Sequence, residues 1–155
     1  MISPEILRRY PFFREMDDAA LKAIAMISEE VCFEKGDVVY ESGQPNRSVF
    51  LLTDGGVETF LEVDDPNNPA NHKEYYLDDL ELGEVFGISA MVELKVHTTT
   101  ARANRKSKLV RIDGAGLENL CELNPRLGYL LMKEMSNTLL NRLHQDRIQL
   151  AACQG

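Results

Sequence analysis

The chain has no tryptophan and only three cysteines and three histidines, and these shortages exclude several kinds of function. Cys32, Cys121 and Cys153 are odd in number and far apart, so neither a disulfide framework nor a Cys-x-x-Cys metal knuckle can be built from them. A reducing compartment, the cytoplasm, is the expectation. His72, His97 and His144 fall on a predicted loop, a strand and the last helix, and such positions do not converge on one metal. No metal site is expected. Runs of about 18 apolar residues are missing, and the opening Met1-Ile2-Ser3-Pro4-Glu5 carries no basic segment followed by an apolar one. Neither a membrane span nor an export signal is expected. Gly-x-Ser-x-Gly elbows, Walker loops and dinucleotide glycine fingerprints are also absent, so the reading is of a non-enzyme with no catalytic residues and no cofactor.

Basic charge is scarce too: 17 Lys and Arg stand against 25 Asp and Glu, a formal net charge of -8, which repels a phosphate backbone. Direct nucleic-acid binding is not expected. Leu7-Arg8-Arg9 and Arg105-Lys106-Ser107-Lys108 are short enough to be a solvated first turn and a solvated hairpin. Asn46-Arg47-Ser48 matches a glycosylation sequon, but without a secretory signal it carries no weight. What the chain does have is 44% apolar residues over 155 positions, enough for one domain with one well-formed core.

The apolar pattern changes period twice. Ile6, Leu7 and Tyr10, then Leu21, Ile24 and Ala25, recur at helical intervals, with Pro11 between the sets and Asp17-Asp18 as an N-cap. Two short helices open the chain. Next Val31 and Phe33 alternate with Cys32 and Glu34, and Val57, Thr59, Leu61 and Val63 alternate with Glu58, Phe60 and Glu62, the period of strands. Gly36-Asp37, Ser42-Gly43, Asp54-Gly55-Gly56 and Gly83 punctuate them as turns. The polar stretch from Asp64 to Lys73, with two prolines, reads as a long exposed hairpin loop. His97 to Ala103 and Lys108 to Ile112 give two more strands. After Asp113-Gly114 the helical period returns, in a short helix from Ala115 to Leu123 and a long one that Pro125 can start. That last helix, about 26 residues or ~39 Å, carries Met132, Met135, Leu139, Leu143 and Leu150 in a stripe. It is long enough to overhang a small barrel, so a homodimer through Met132, Met135, Leu139 and Leu143 is expected.

This order resembles the cyclic-nucleotide-binding domain of the catabolite-activator and protein-kinase-A regulatory-subunit superfamily. The resemblance runs through Tyr10-Pro11-Phe12-Phe13 with Leu21, Phe33-Glu34-Lys35-Gly36-Asp37 onward to Gly43, Val49-Phe50-Leu51-Leu52 with Gly56, Leu82-Gly83-Glu84-Val85-Phe86-Gly87, and Asn124-Pro125. It implies a mainly β double-stranded helix, or jelly roll, with N-terminal helices over residues 1–29, a barrel over 30–113 that includes a short cassette helix, and C-terminal helices over 114–155.

It also implies a ligand site. The family's phosphate-binding cassette reads Gly-Glu-[small or Leu]-Ala-Leu and, further on, Arg-[Ser/Thr/Ala]-Ala. There the glutamate accepts the ribose 2′-hydroxyl, the arginine pairs with the cyclic phosphate, and amides at a helix start cradle it. This chain has Gly87-Ile88-Ser89-Ala90-Met91 and His97-Thr98-Thr99-Thr100-Ala101-Arg102-Ala103. Ile88 stands at the glutamate position and His97 at the arginine position, so two charge-bearing contacts are missing. Arg102 falls on the opposite strand face and is expected to be exposed or ion-paired. The candidate pocket is Phe86, Gly87, Ile88, Ser89, Ala90, His97, Thr98 and Thr99, for a cyclic nucleotide or another small anion. His97 either contacts such an anion when protonated or is neutral, with one nitrogen bonded to a hydroxyl such as that of Thr99. Two functions stay open: a regulatory sensor that signals through its C-terminal helices, and an interaction or dimerisation module, with a partner protein or a second copy, whose pocket is vestigial. The chain ends at Gly155 without room for a helix-turn-helix, so any effect on transcription is expected to need a partner.

Overall fold

In the computed structural model, which describes residues 1–154, helices and turns form where side chains close their ends. Helix α1 (Pro4–Arg8) starts on a proline, and α2 (Asp18–Met26) is capped by Asp17, whose carboxylate accepts from the Ala20 amide at 2.8 Å. A single turn at Pro11–Phe13 joins them. The strands are β1 (Ser28–Phe33), β2 (Val38–Tyr40), β3 (Ser48–Asp54), β4 (Val57–Asp65), β5 (Asn68–Leu80), β6 (Val85–Phe86), β7 (Thr100–Ala103) and β8 (Ser107–Asp113). They form two four-stranded sheets, in the orders β1-β8-β3-β6 and β2-β7-β4-β5, with antiparallel pairing throughout. This is the mainly β jelly roll that was expected. Helices α3 (Gly114–Leu123) and α4 (Pro125–Gln154) complete the chain.

Alternation along the strands divides the core in two. Val49, Leu51, Val110 and Ile112 face a helix layer that includes Leu7, Phe13, Leu21, Leu117 and Leu131. Phe50, Leu52 and Leu109 face the barrel interior with Tyr40, Val57, Phe86 and Ala101. β3 therefore has apolar residues at four successive positions because it is covered on both faces. Among the described residues, no helix is long and apolar enough to cross a membrane.

Four expectations need correction. The stretch from Asp64 to Lys73 is not a long loop: β4 and β5 stay paired out to Asp65 and Asn68, leaving only Pro66-Asn67 as the turn. A two-stranded ribbon exposed on both faces needs no apolar residues, so its polarity looked like a loop. His97 is not on a strand either, because β7 begins at Thr100 and only Val96 forms an isolated bridge, to Pro45. The barrel begins two positions early, at Ser28. Finally Met135 is 3% exposed and belongs to this chain's own helix-layer core, so it cannot be a dimer contact.

Helix α4 changes role along its length. Leu127, Leu130, Leu131 and Met135 are buried; further on, Leu139, Arg142, Leu143 and Asp146 border a cavity on the barrel. Residues 144–154 are exposed.

Candidate functional site

A cavity of about 430 Å³ lies against the barrel beside the turn that follows β6. Phe86, Gly87, Ile88, Ser89, His97, Thr98 and Thr99 all border it, so the two segments of the cassette do converge. Ala90 does not. It is 2% exposed and faces the helix layer, since the four-residue 3-10 turn Ile88–Met91 points it away.

Backbone geometry at Gly87 makes this convergence possible. Its φ of +74° is left-handed, and a Cβ there would come within 3.0 Å of the Ser48 carbonyl and 3.1 Å of the Phe50 ring. Only glycine fits. Asn46, 3% exposed, then holds the turn: its amide nitrogen donates to the Gly87 carbonyl at 2.7 Å and to the Ser89 hydroxyl at 2.9 Å, and its oxygen accepts from the Ser48 amide at 3.1 Å. The sequon match at this residue is thus a buried structural bracket. Of the amides in the turn Ile88–Met91, that of Ala90 is already donated to the Gly87 carbonyl at 3.2 Å.

His97 is anchored by its backbone, donating to Gln44 at 2.9 Å and accepting from Gly43 at 2.8 Å. The ring stacks on Tyr40 with centroids 3.8 Å apart and planes 7° from parallel. The expected hydroxyl partner is not there: among the described residues the ring has no hydrogen bond, to Thr99 or otherwise. Burial pushes its pKa down from the ordinary 6.5 to about 4, so without a ligand the ring is neutral at neutral pH. Burial also raises the Tyr40 phenol.

The same shift makes stability depend on pH. Below pH 6.5 the unfolded chain takes up a proton that the folded ring refuses until about pH 4. Stability is therefore lost as pH falls through that window, by about 1–3 kcal/mol once water in the cavity is allowed to screen the ring. Urea titrations at pH 7.5 and 4.5 measure it. His97→Gln should remove this component of the slope, and an unchanged slope would show that His97 is not its source.

The remaining charges were not anticipated. Asp78 of β5 and Asp146 of α4 border the cavity, and the Thr59 hydroxyl donates to Asp78 at 2.5 Å. Arg142 of α4 is committed elsewhere: it donates to Glu84 at 3.0 and 2.7 Å and to the Val85 carbonyl at 2.7 Å. Arg102 is ion-paired, with two 3.0 Å bonds to Glu74 and its guanidinium 4.7 Å from the Phe60 ring centre. Only Asn46 left a trace in the sequence, as a polar residue just before a strand covered on both faces. Arg142 and Glu84 lie 58 positions apart, and no local pattern links them.

Comparison with known proteins agrees with this geometry. The family model described as cyclic nucleotide-binding domain matches residues 30–124. The structure of a candidate cyclic nucleotide-binding protein from Geobacter metallireducens GS-15 superposes with a TM-score of 0.79 at 36% identity, over 93% of this chain and 100% of that one. The sensor domain of the transcriptional regulator DNR from Pseudomonas aeruginosa gives 0.70 at 21% identity, over 90% of each chain, which speaks for the fold alone. A candidate potassium channel protein of Rhodopseudomonas palustris is 23% identical over 127 residues, 82% of this chain but only 29% of its own length. On the family match and the Geobacter likeness together, the chain belongs to the cyclic nucleotide-binding domain family.

Proposed function

We propose that this domain is a non-catalytic regulatory sensor in which a small molecule in the cavity is reported by the position of α4. One observation carries the reading: the helix that packs into the core through Leu131 and Met135 also borders the cavity with Leu139, Arg142 and Leu143. A ligand shifts a conformational equilibrium only by contacting its two states differently. Here the wall it would touch is the moving part. The Arg142 bonds to Glu84 and Val85 act as a latch holding α4 on the barrel, next to the turn that starts at Gly87. Relatives described as a sensor domain and a channel protein are in keeping with a module that passes a signal to an attached or associated partner.

The latch is half-buried and charge-assisted, so losing it should matter locally. Arg142→Ala is expected to speed hydrogen exchange of the α4 amides around the cavity by roughly tenfold, with strands β3 and β8 unchanged. Unaltered exchange in α4 would remove the latch from the account.

A second copy is the partner the far half of α4 supports. Leu140, Ile148 and Leu150 are 62%, 50% and 59% exposed, on a helix of 30 residues, or about 45 Å. Leu139 and Leu143 border the cavity, so Leu140→Glu with Ile148→Glu is the cleaner disruption. Light scattering should show a dimer that this double variant dissociates; a native monomer at micromolar concentration would contradict it.

A further inference from the structure

The charges around the cavity are the reverse of those an anion needs. Asp78 and Asp146 approach it from β5 and α4, while the guanidinium among its lining residues, Arg142, is already ion-paired with Glu84 and hydrogen-bonded to the Val85 carbonyl. Independently, His97 borders the cavity at 7% exposure with no hydrogen-bond partner for its ring among the described residues. The ring nitrogens are not among the fully buried, unpaired side-chain atoms, so they are open to the cavity and free to meet a polar group there. Held neutral by burial, the ring can donate or accept one hydrogen bond and adds no charge. Much of the remaining wall, including Leu80, Phe86, Ile88 and Leu139, is apolar.

We infer that this cavity selects small amphipathic organic cations: an apolar, flat body against the aromatic and aliphatic wall, a polar edge on His97, and an ammonium group near Asp78 and Asp146. The inference rests on reading the cavity as a sensor's ligand site and specifies what that site accepts. An anion there would be repelled by both carboxylates and would find the guanidinium among the described lining residues taken. A cation meets the opposite situation.

Tryptamine, indole-3-ethanol and indole-3-acetate share one ring and carry a positive charge, none and a negative charge, so they isolate this preference. Calorimetry on the full chain should find tryptamine bound roughly tenfold or more tightly than indole-3-acetate, with the alcohol between them. Asp146→Asn and Asp78→Asn should bring tryptamine toward the alcohol and leave the alcohol unchanged; the amide oxygen at position 78 can still accept from Thr59. Indole-3-acetate bound as tightly as tryptamine would overturn the inference. So would binding of none of the three at millimolar concentration, or indifference of tryptamine to both variants. Hydrogen exchange of α4 separates this failure from failure of the sensor reading. Indole-3-acetate that binds and alters α4 leaves the sensor standing without the charge preference, whereas tryptamine that binds without altering α4 does the reverse.

Discussion

Cyclic AMP and cyclic GMP are expected to bind the native chain at least about a hundredfold more weakly than an Ile88→Glu/His97→Arg variant does. A hydrogen bond to a charged group contributes ~1.5–3 kcal/mol, and two are missing: the carboxylate for the ribose hydroxyl and the guanidinium for the phosphate. Their sum need not be additive, but about 2.8 kcal/mol already amounts to two decades. The structure adds to the deficit. His97 is neutral above about pH 4, the Ala90 amide is taken by Gly87, and Asp78 and Asp146 border the space where the nucleotide would sit. Ile88 is 7% exposed within the helix-layer core, so a glutamate there costs stability, and the variant's melting temperature must be followed with and without nucleotide. Micromolar binding to the native chain would contradict the prediction. A folded variant that gains nothing would mean that the turn after Gly87 is not a phosphate cradle, and would favour the interaction-module reading.

Asn46→Ala should lower stability by about 2–4 kcal/mol, more than a typical substitution. The side chain is 3% exposed and makes three hydrogen bonds, to the Gly87 carbonyl, the Ser89 hydroxyl and the Ser48 amide. Alanine removes a partner from the half-buried Ser89 hydroxyl and Ser48 amide, leaves the Gly87 carbonyl with the 3.2 Å bond from the Ala90 amide, and opens a void beside the turn. Urea denaturation measures the change, and the cavity should lose its shape first because Gly87 and Ser89 border it. A loss under about 0.5 kcal/mol would mean that water replaces the side chain without cost.

Much of the fold could be read from local pattern because the pattern is set by burial. Asp17 capped α2, Asn124-Pro125 opened α4, and glycines fell where φ is positive, as at Gly36, Gly43, Gly55, Gly83 and Gly87. Errors arose where burial is not what shapes the chain. The β4–β5 ribbon projects past the core, so its polar residues gave no strand signal although its backbone pairs as far as Asp65 and Asn68. The α4 stripe showed the helical period but not what each residue touches: Met135 is core, Leu139 and Leu143 border the cavity, and Leu150 is exposed.

The cavity was legible on one side only. Gly87, Ser89, His97 and Thr99 came from the resemblance, because the cassette is contiguous in sequence. Tyr40, Asp78, Arg142 and Asp146 come from three other elements, and only the folded chain brings them there. These are the residues that set its charge and tie it to α4. The cassette alone therefore gives no view of the two carboxylates beside it.

Cavity and helix are proposed to form one coupled unit. Hydrogen exchange of the α4 amides from Leu139 to Asp146, measured on the Ile88→Glu/His97→Arg protein with and without saturating cyclic AMP, tests it most directly. The account predicts that bound nucleotide changes exchange in this stretch, while β3 and β8 keep theirs. Nucleotide shown by calorimetry to be bound, with α4 exchange unchanged, would contradict it.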